Sequence, residues 1–328
     1  MNKKVVVFGG GTGISYTIRG LKSFPVDITA IISVSDNGRS TGKLRTEFNI
    51  PAVGDIRQVI SNLSESSADI RKLMNYRFET SSDLNGHALG NLFLVADMKM
   101  TGSLCTAIKH MSELLDVRHK VYPISEDYLT LMAKTNKGEI IEGEAEITAN
   151  KDVKTKLYYK KEPHITKEAI EEVLKADLII LSVGSIYTSV LPNIIGKEMK
   201  RAIKRSKAKI MYVCNAMTQP GETDNFSVSD HIKVYNKYLP RPIDVVIASN
   251  TKISEEMLEK YHRKEEKAKV HIDRDEIKKM GVKLIEGDLI VLDEDETLKH
   301  NSILLASLIF SYMMRNDYVV RYWCKRRN

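Results

Sequence analysis

The sequence predicts an α/β fold built on a mostly parallel, doubly wound sheet. Three observations lead there. Short, nearly continuous apolar runs alternate with stretches of helical apolar spacing, as strands buried on both faces require. The runs end abruptly in glycine-rich or polar loops. The middle departs from this pattern: residues 129–134 and 139–148, joined through Asn136-Lys137-Gly138, alternate like an inserted antiparallel hairpin.

In chain order, residues 4–8 are a β-branched run that stops at Gly9-Gly10-Gly11-Thr12-Gly13. Ile14, Ile18 and Leu21 then recur at helical spacing, giving strand, glycine loop and helix. A second run, 28–34, ends in Ser35-Asp36-Asn37-Gly38-Arg39-Ser40-Thr41-Gly42. Three later runs repeat the design: 177–183 leads into Gly184-Ser185, 209–213 into Cys214-Asn215, and 244–248 into Ser249-Asn250. Residues 197–206 carry an amphipathic helix pattern. More than half of residues 254–279 are charged, which predicts a solvated helical excursion over about 254–280 and no separate domain. Ile303, Leu304, Leu308 and Ile309 predict a C-terminal helix that packs back on the body. One domain over 1–328 is therefore expected.

Composition narrows the class. With 42% hydrophobic and 28% charged residues in 328, disorder, collagen and coiled-coil readings are excluded. No run approaches the roughly 20 apolar residues of a membrane helix. Met1-Asn2-Lys3-Lys4 leads straight into the first strand pattern and not into a signal core. A soluble, cytoplasmic protein without a membrane span is expected. Cys105, Cys214 and Cys324 have neither metal nor redox spacing, which suits a reducing compartment. The net charge of +7 is spread along the chain except for Arg321, Lys325, Arg326 and Arg327. With one tryptophan and no basic-aromatic stripe, nucleic acid is not an expected partner.

In open parallel sheets, ligands bind beyond the carboxyl ends of the strands, where helix N-termini aim free N–H groups. Gly10, Gly11 and Gly13 would let backbone amides reach a phosphate, with a hydroxyl from Thr12. A tight turn without ligand is the plainer reading, but four glycines in five residues exceed what it needs. The usual dinucleotide fingerprint is not met, since Ile14 or Tyr16 stands where a small residue belongs. Asp36, 25 residues beyond Gly11, still lies where a ribose-binding acid would be. No Walker lysine follows the loop.

Each remaining polar segment carries two readings. Asp36, Asn37 and Ser40 offer groups for ribose or sugar hydroxyls. Asp55 is either a helix N-cap with Arg57 in solvent, or an acceptor for ribose or a metal-bound water beside an arginine fork for phosphate. His87 and Asn91 are either a satisfied core histidine and a cap, or site residues one turn apart on a helix start. Gly184 and Ser185 suit a diphosphate or sugar, with Ser185 also a common N-cap. Asn215, Met217, Thr218, Gln219 and Glu222 concentrate amide, hydroxyl and carboxyl groups where a buried strand ends, which suits recognition of a base or sugar. There is no nucleophile elbow and no cysteine near an evident histidine, so no catalytic residue is assigned, and no metal site is indicated.

Six segments in order, Val6 through Gly13, Ser35-Asp36-Asn37-Gly38, Gly54-Asp55-Ile56-Arg57, Gly86 through Asn91, Gly184 through Ser189, and Asn215 through Thr223, resemble the bacterial gluconeogenesis factor family. That family is a branch of the superfamily containing 2-phospho-L-lactate transferase. The resemblance implies a Rossmann-like fold and a cytoplasmic protein required for cell shape on gluconeogenic carbon sources. It implies a bound UDP-sugar such as UDP-N-acetylglucosamine, no required cofactor, and protein partners in envelope or carbon metabolism; a homo-oligomer stays open. The transferase branch moves a phospholactyl group from a nucleotide donor to a deazaflavin, and Mg²⁺ belongs only to that alternative. Lys299 falls in a basic segment near the family's ligand pocket, where arginine is usual. Asn37 replaces a second aspartate and so removes a hard anionic ligand. Arg39 replaces a glycine, Ser182-Val183 a Gly-Pro pair, and Val53 and Gln58 also deviate.

Overall fold

The computed structural model describes residues 2–293 and 297–315; Cys324 and the basic segment 321–327 lie outside the described residues. The elements in order are β1 (Lys3–Gly9), α1 (Gly11–Leu21), β2 (Val26–Ile32), α2 (Arg39–Phe48), α3 (Gly54–Leu63), α4 (Ala68–Asn75), α5 (Leu89–Thr101), α6 (Leu104–Leu114) and β3 (Lys120–Pro123). The middle follows with β4 (Leu131–Thr135), β5 (Ile140–Glu142), α7 (Glu144–Ala149), β6 (Lys154–Tyr159), α8 (Lys167–Lys175) and β7 (Leu178–Leu181). The chain ends with α9 (Lys197–Arg205), β8 (Lys209–Val213), α10 (Val228–Tyr238), β9 (Val245–Ser249), α11 (Glu255–Glu265), α12 (Arg274–Lys279), β10 (Lys283–Gly287), β11 (Ile290–Leu292), β12 (Leu298–His300) and α13 (Ser302–Arg315).

Seven strands form a parallel sheet in the order β10-β9-β8-β7-β1-β2-β3. Val5 lies opposite Ile28 on one side and Leu178 on the other, so the apolar runs of three strands meet in one register. All four residues of β7 are buried, as are the last five of β1, because helices cover both faces. The chain leaves β1 toward β2 and β3 and returns on the other side at β7. That reversal puts the switch point beside the carboxyl end of β1. Helix α1 packs against α3 and α13, while α8 packs against α9. At Gly20 the backbone carbonyl of Ser302 lies so close that a β-carbon has no room.

The inserted hairpin differs from its expected form. Strands β4 and β5 pair antiparallel, but β5 stops at Glu142, and 144–149 is helix α7. The third strand, β6, pairs on the other side of β4 and was not read from the sequence. Gly143, at φ 103°, turns the chain out of the strand, and Glu144-Ala145-Glu146 then start a helix although the alternation continues past them. Among the described residues, no helix is long and apolar enough to cross a membrane.

Candidate functional site

A crevice of about 580 Å³ opens at the switch point, where the loops after β1, β7 and β8 converge. Residues 11–13, 183–185 and 215–219 line it, so the glycine loop, the Gly184 turn and the Asn215 segment face a common space. Helix α1 opens at Gly10, which as a glycine offers no side-chain cap, and the Gly11 N–H of its first turn is taken by the Asp55 carboxylate. A β-carbon on Gly11 would meet Asp55 Oδ1 and Gln58 Oε1, each at 2.5 Å. At Gly13 it would strike the carbonyl of Val183, so glycine there lets α1 and the Gly184 turn close on each other. The Thr12 hydroxyl accepts from Gln58 Nε2 at 3.1 Å.

Several expected site groups serve the walls of the crevice. The Asn215 amide, expected to meet a ligand, spends both ends on Gly184: its Oδ1 accepts the Gly184 N–H at 2.9 Å and its Nδ2 donates to the Gly184 carbonyl at 2.8 Å. It holds the turn in which Gly184 sits at φ 133°. Ser185 lines the crevice and also caps the helical turn after it, accepting from Thr188 N at 3.0 Å. Its hydroxyl donates to Glu222 Oε1 at 2.6 Å, so Glu222 stands behind the wall and does not line it. Thr218 donates its N–H to the Ala268 carbonyl at 2.7 Å and accepts the Ala268 N–H at 2.9 Å. Met217 and Gln219 remain free to face the space. Gln219 Oε1 and His300 Nε2 are buried there without a hydrogen-bond partner. Burial pushes His300 down to about 4, while its ring hydrogen-bonds the Cys214 backbone, so the imidazole is neutral.

Other expected residues fall elsewhere. Asn37 turns away from the crevice and anchors α7: its Nδ2 donates to Glu146 Oε2, and its Oδ1 accepts from Ala145 N, both at 2.8 Å. Asp55 is not a cap, since the N-cap of α3 is Val53. Arg57 is not in solvent but buried, donating to Asn91 Oδ1 at 2.9 Å and to Asn75 Oδ1. His87 and Asn91 do not share a helix start, because α5 begins at Leu89. The buried His87 bonds Ser40 Oγ through Nδ1 at 2.8 Å, in keeping with the satisfied core reading. Ser40, Arg57 and Asn91 line a neighbouring cleft. Lys299 reaches the crevice from β12 and pairs with Asp293.

Sequence reasoning passed over Glu144, which lines both the crevice and the neighbouring cleft with Asp36 and Asp55. Its false strand context concealed it. Burial, then the charges of Asp36 and Asp55, raise the Glu144 carboxyl well above the usual range. Burial also raises Asp36, and it pushes Asp55 up to about 6. Tyr261, Glu265 and Lys267 of the charged excursion line the crevice as well, so that segment is more than a solvated face. Cys105 and Cys214 are pushed up to about 12 by burial, which leaves both as inert thiols at neutral pH.

A glycine loop at the switch point of a parallel sheet, facing a polar crevice, defines a Rossmann-like protein. The family described as 2-phospho-L-lactate transferase CofD matches residues 5–290. The gluconeogenesis factor of Halalkalibacterium halodurans is 41% identical over 309 residues, covering 94% of this chain and 95% of the relative. The gluconeogenesis factor of Bacillus subtilis is 39% identical over 308 residues, covering 93% and 96%. A crystal structure of a Bacillus halodurans protein superposes with a TM-score of 0.91 at 39% identity, over 94% of this chain and 100% of that one. The chain belongs to the CofD family, and within it to the gluconeogenesis factors.

Proposed function

We propose that the protein binds a nucleotide sugar of the UDP-N-acetylglucosamine kind in the crevice and acts in the cytoplasm as a regulator of cell shape during growth on gluconeogenic carbon. Its relatives' name, gluconeogenesis factor, supports the link to gluconeogenic growth. The observation that carries the chemical half is the pair of buried, unpartnered atoms, Gln219 Oε1 and His300 Nε2, in a crevice that also holds the uncapped first turn of α1. Buried polar atoms without partners are costly, and a ligand edge bearing an N–H, as uracil has, satisfies one of these two acceptors. The uncapped turn suits the diphosphate. Burial shifts Glu144 and Asp55 toward their protonated forms, which donate to sugar hydroxyls or phosphate oxygens.

The alternative is a metal-dependent transferase. Among the described residues no three His, Cys, Asp or Glu side chains stand at spacing that could hold an ion, and Asn37 faces away. These residues do not form a divalent-cation site.

The test is a thermal-shift and calorimetric panel of UDP-sugars, GDP, NAD and a deazaflavin, with and without magnesium. UDP-N-acetylglucosamine is expected to stabilise the protein most, with chelation weakening it by less than about tenfold. Preference for GDP or deazaflavin, or binding that vanishes without magnesium, would replace this reading with the transferase.

A further inference from the structure

Behind Asp36, Asp55 and Glu144 lies the neighbouring cleft, of about 540 Å³, whose lining includes Arg39, Arg57 and Arg77. Arg39 and Arg77 also line a smaller recess beside Lys43. None of these four cations forms an ion pair among the described residues. Arg57 is the informative one. It is only 7% exposed, yet its hydrogen bonds go to the neutral amides of Asn91 and Asn75. Burial, then the charge of Arg77, lower it to about 10, with Asp55 offsetting part of this. Arg77 bonds only the Gly86 carbonyl, at 2.8 Å. A buried guanidinium with neutral partners and a like charge beside it is an arrangement that an anion stabilises.

Arg39 adds an independent observation. Its φ is 43°, in the left-handed region that glycine adopts freely and arginine rarely. It occupies a position where the family resemblance leads one to expect glycine, so this chain carries backbone strain there and gains a cation lining the cleft.

We infer that the cleft is a second binding site, for the phosphoryl group of a small phosphorylated metabolite held by Arg39, Arg57 and Arg77. Arginine forks match phosphate oxygens in pairs, and the cleft has room for a molecule larger than a bare ion. The acidic wall opposes an anion less than three free carboxylates would, because burial raises Glu144, Asp55 and Asp36 and so favours their neutral forms. The site is distinct from the proposed nucleotide-sugar crevice and shares only that wall.

The test uses the full chain with inorganic phosphate and glycerol 3-phosphate as probes, against chloride and acetate at matched ionic strength. Both phosphates are expected to raise the melting temperature saturably, and chloride and acetate to leave it unchanged. Arg39→Gly relaxes the strained backbone, so it is expected to raise the melting temperature without ligand while weakening phosphate binding at least about fivefold. Arg77→Ala is expected to weaken phosphate at least about fivefold with no such gain. UDP-N-acetylglucosamine affinity should stay within about twofold in both variants. Phosphate acting no better than chloride, or less than fivefold loss in both variants, would overturn the inference. Equal loss of phosphate and UDP-N-acetylglucosamine would also overturn it, by assigning the arginines to the nucleotide site. Phosphate is measured without nucleotide, so a failure of the UDP-sugar reading leaves this result interpretable.

Discussion

Asp55 stands between the glycine loop and the second cleft, and its ionisation is a stability term. Its native value of about 6 lies above the ordinary 3.8. Between those values the native state keeps a proton that the unfolded chain has released, so stability falls as pH rises through that window. Glu144, also raised, contributes with the same sign. Asp55→Asn keeps an acceptor for the Gly11 N–H and removes this contribution. It should flatten the decline and raise stability at pH 7 by about 2 kcal/mol, less than a dry site would give because Asp55 keeps some solvent contact. Urea midpoints from pH 4 to 7 measure this, and an unchanged slope would show that Asp55 ionises normally. Asn215 poses the complementary case, a lining residue whose amide is spent on the Gly184 turn. Asn215→Leu strips Gly184 of two hydrogen bonds, so about 1 to 3 kcal/mol of stability should be lost even without ligand. Denaturation of the unliganded variant decides it, since a contact made only to ligand would leave the midpoint in place.

At the scale of elements, β12 ties the C-terminal helix α13 to the crevice. The helix follows β12, which brings Lys299 and His300 to the lining, and it packs on α1 at Gly20. Gly20→Ala sets a methyl group against the Ser302 carbonyl. Overpacking of this kind should cost about 1 to 3 kcal/mol, despite the better helix propensity of alanine. The damage should be local: hydrogen exchange in α13 and β12 is expected to accelerate more than in β7 or β8. Uniform acceleration would mean that α13 does not move separately. The same element carries the consequence for binding, since displacing β12 moves His300 away from the crevice.

For the whole molecule, the crevice joins segments far apart in the sequence, from Gly11 to His300. A ligand held there binds only the assembled sheet. At a free concentration one hundred times its Kd, a UDP-sugar should therefore raise global stability by about 2.7 kcal/mol. Calorimetric melts at several ligand concentrations test this. A midpoint that does not rise with concentration would show that the crevice is not a binding site for that ligand.

Parallel strands buried on both faces must be apolar throughout, and the loops that leave them must be polar, so β1, β2, β7, β8 and β9 and the glycine loop were legible without coordinates. Helix α7 was not, because alternation in 139–148 satisfies a strand until Gly143 turns the backbone. That misreading hid Glu144, the third carboxylate of the wall. Residue type showed that Asn215, Glu222, Arg57 and Asn37 were polar groups near strand ends, but type does not say where a hydrogen bond goes. Asn215 serves Gly184, Glu222 serves Ser185, Arg57 turns to two amides in a second cleft, and Asn37 holds α7. Local patterning of apolar residues sets which segments become strands and helices. The partners of each buried polar atom depend on the distances between segments brought together by folding, and only the tertiary structure decides them.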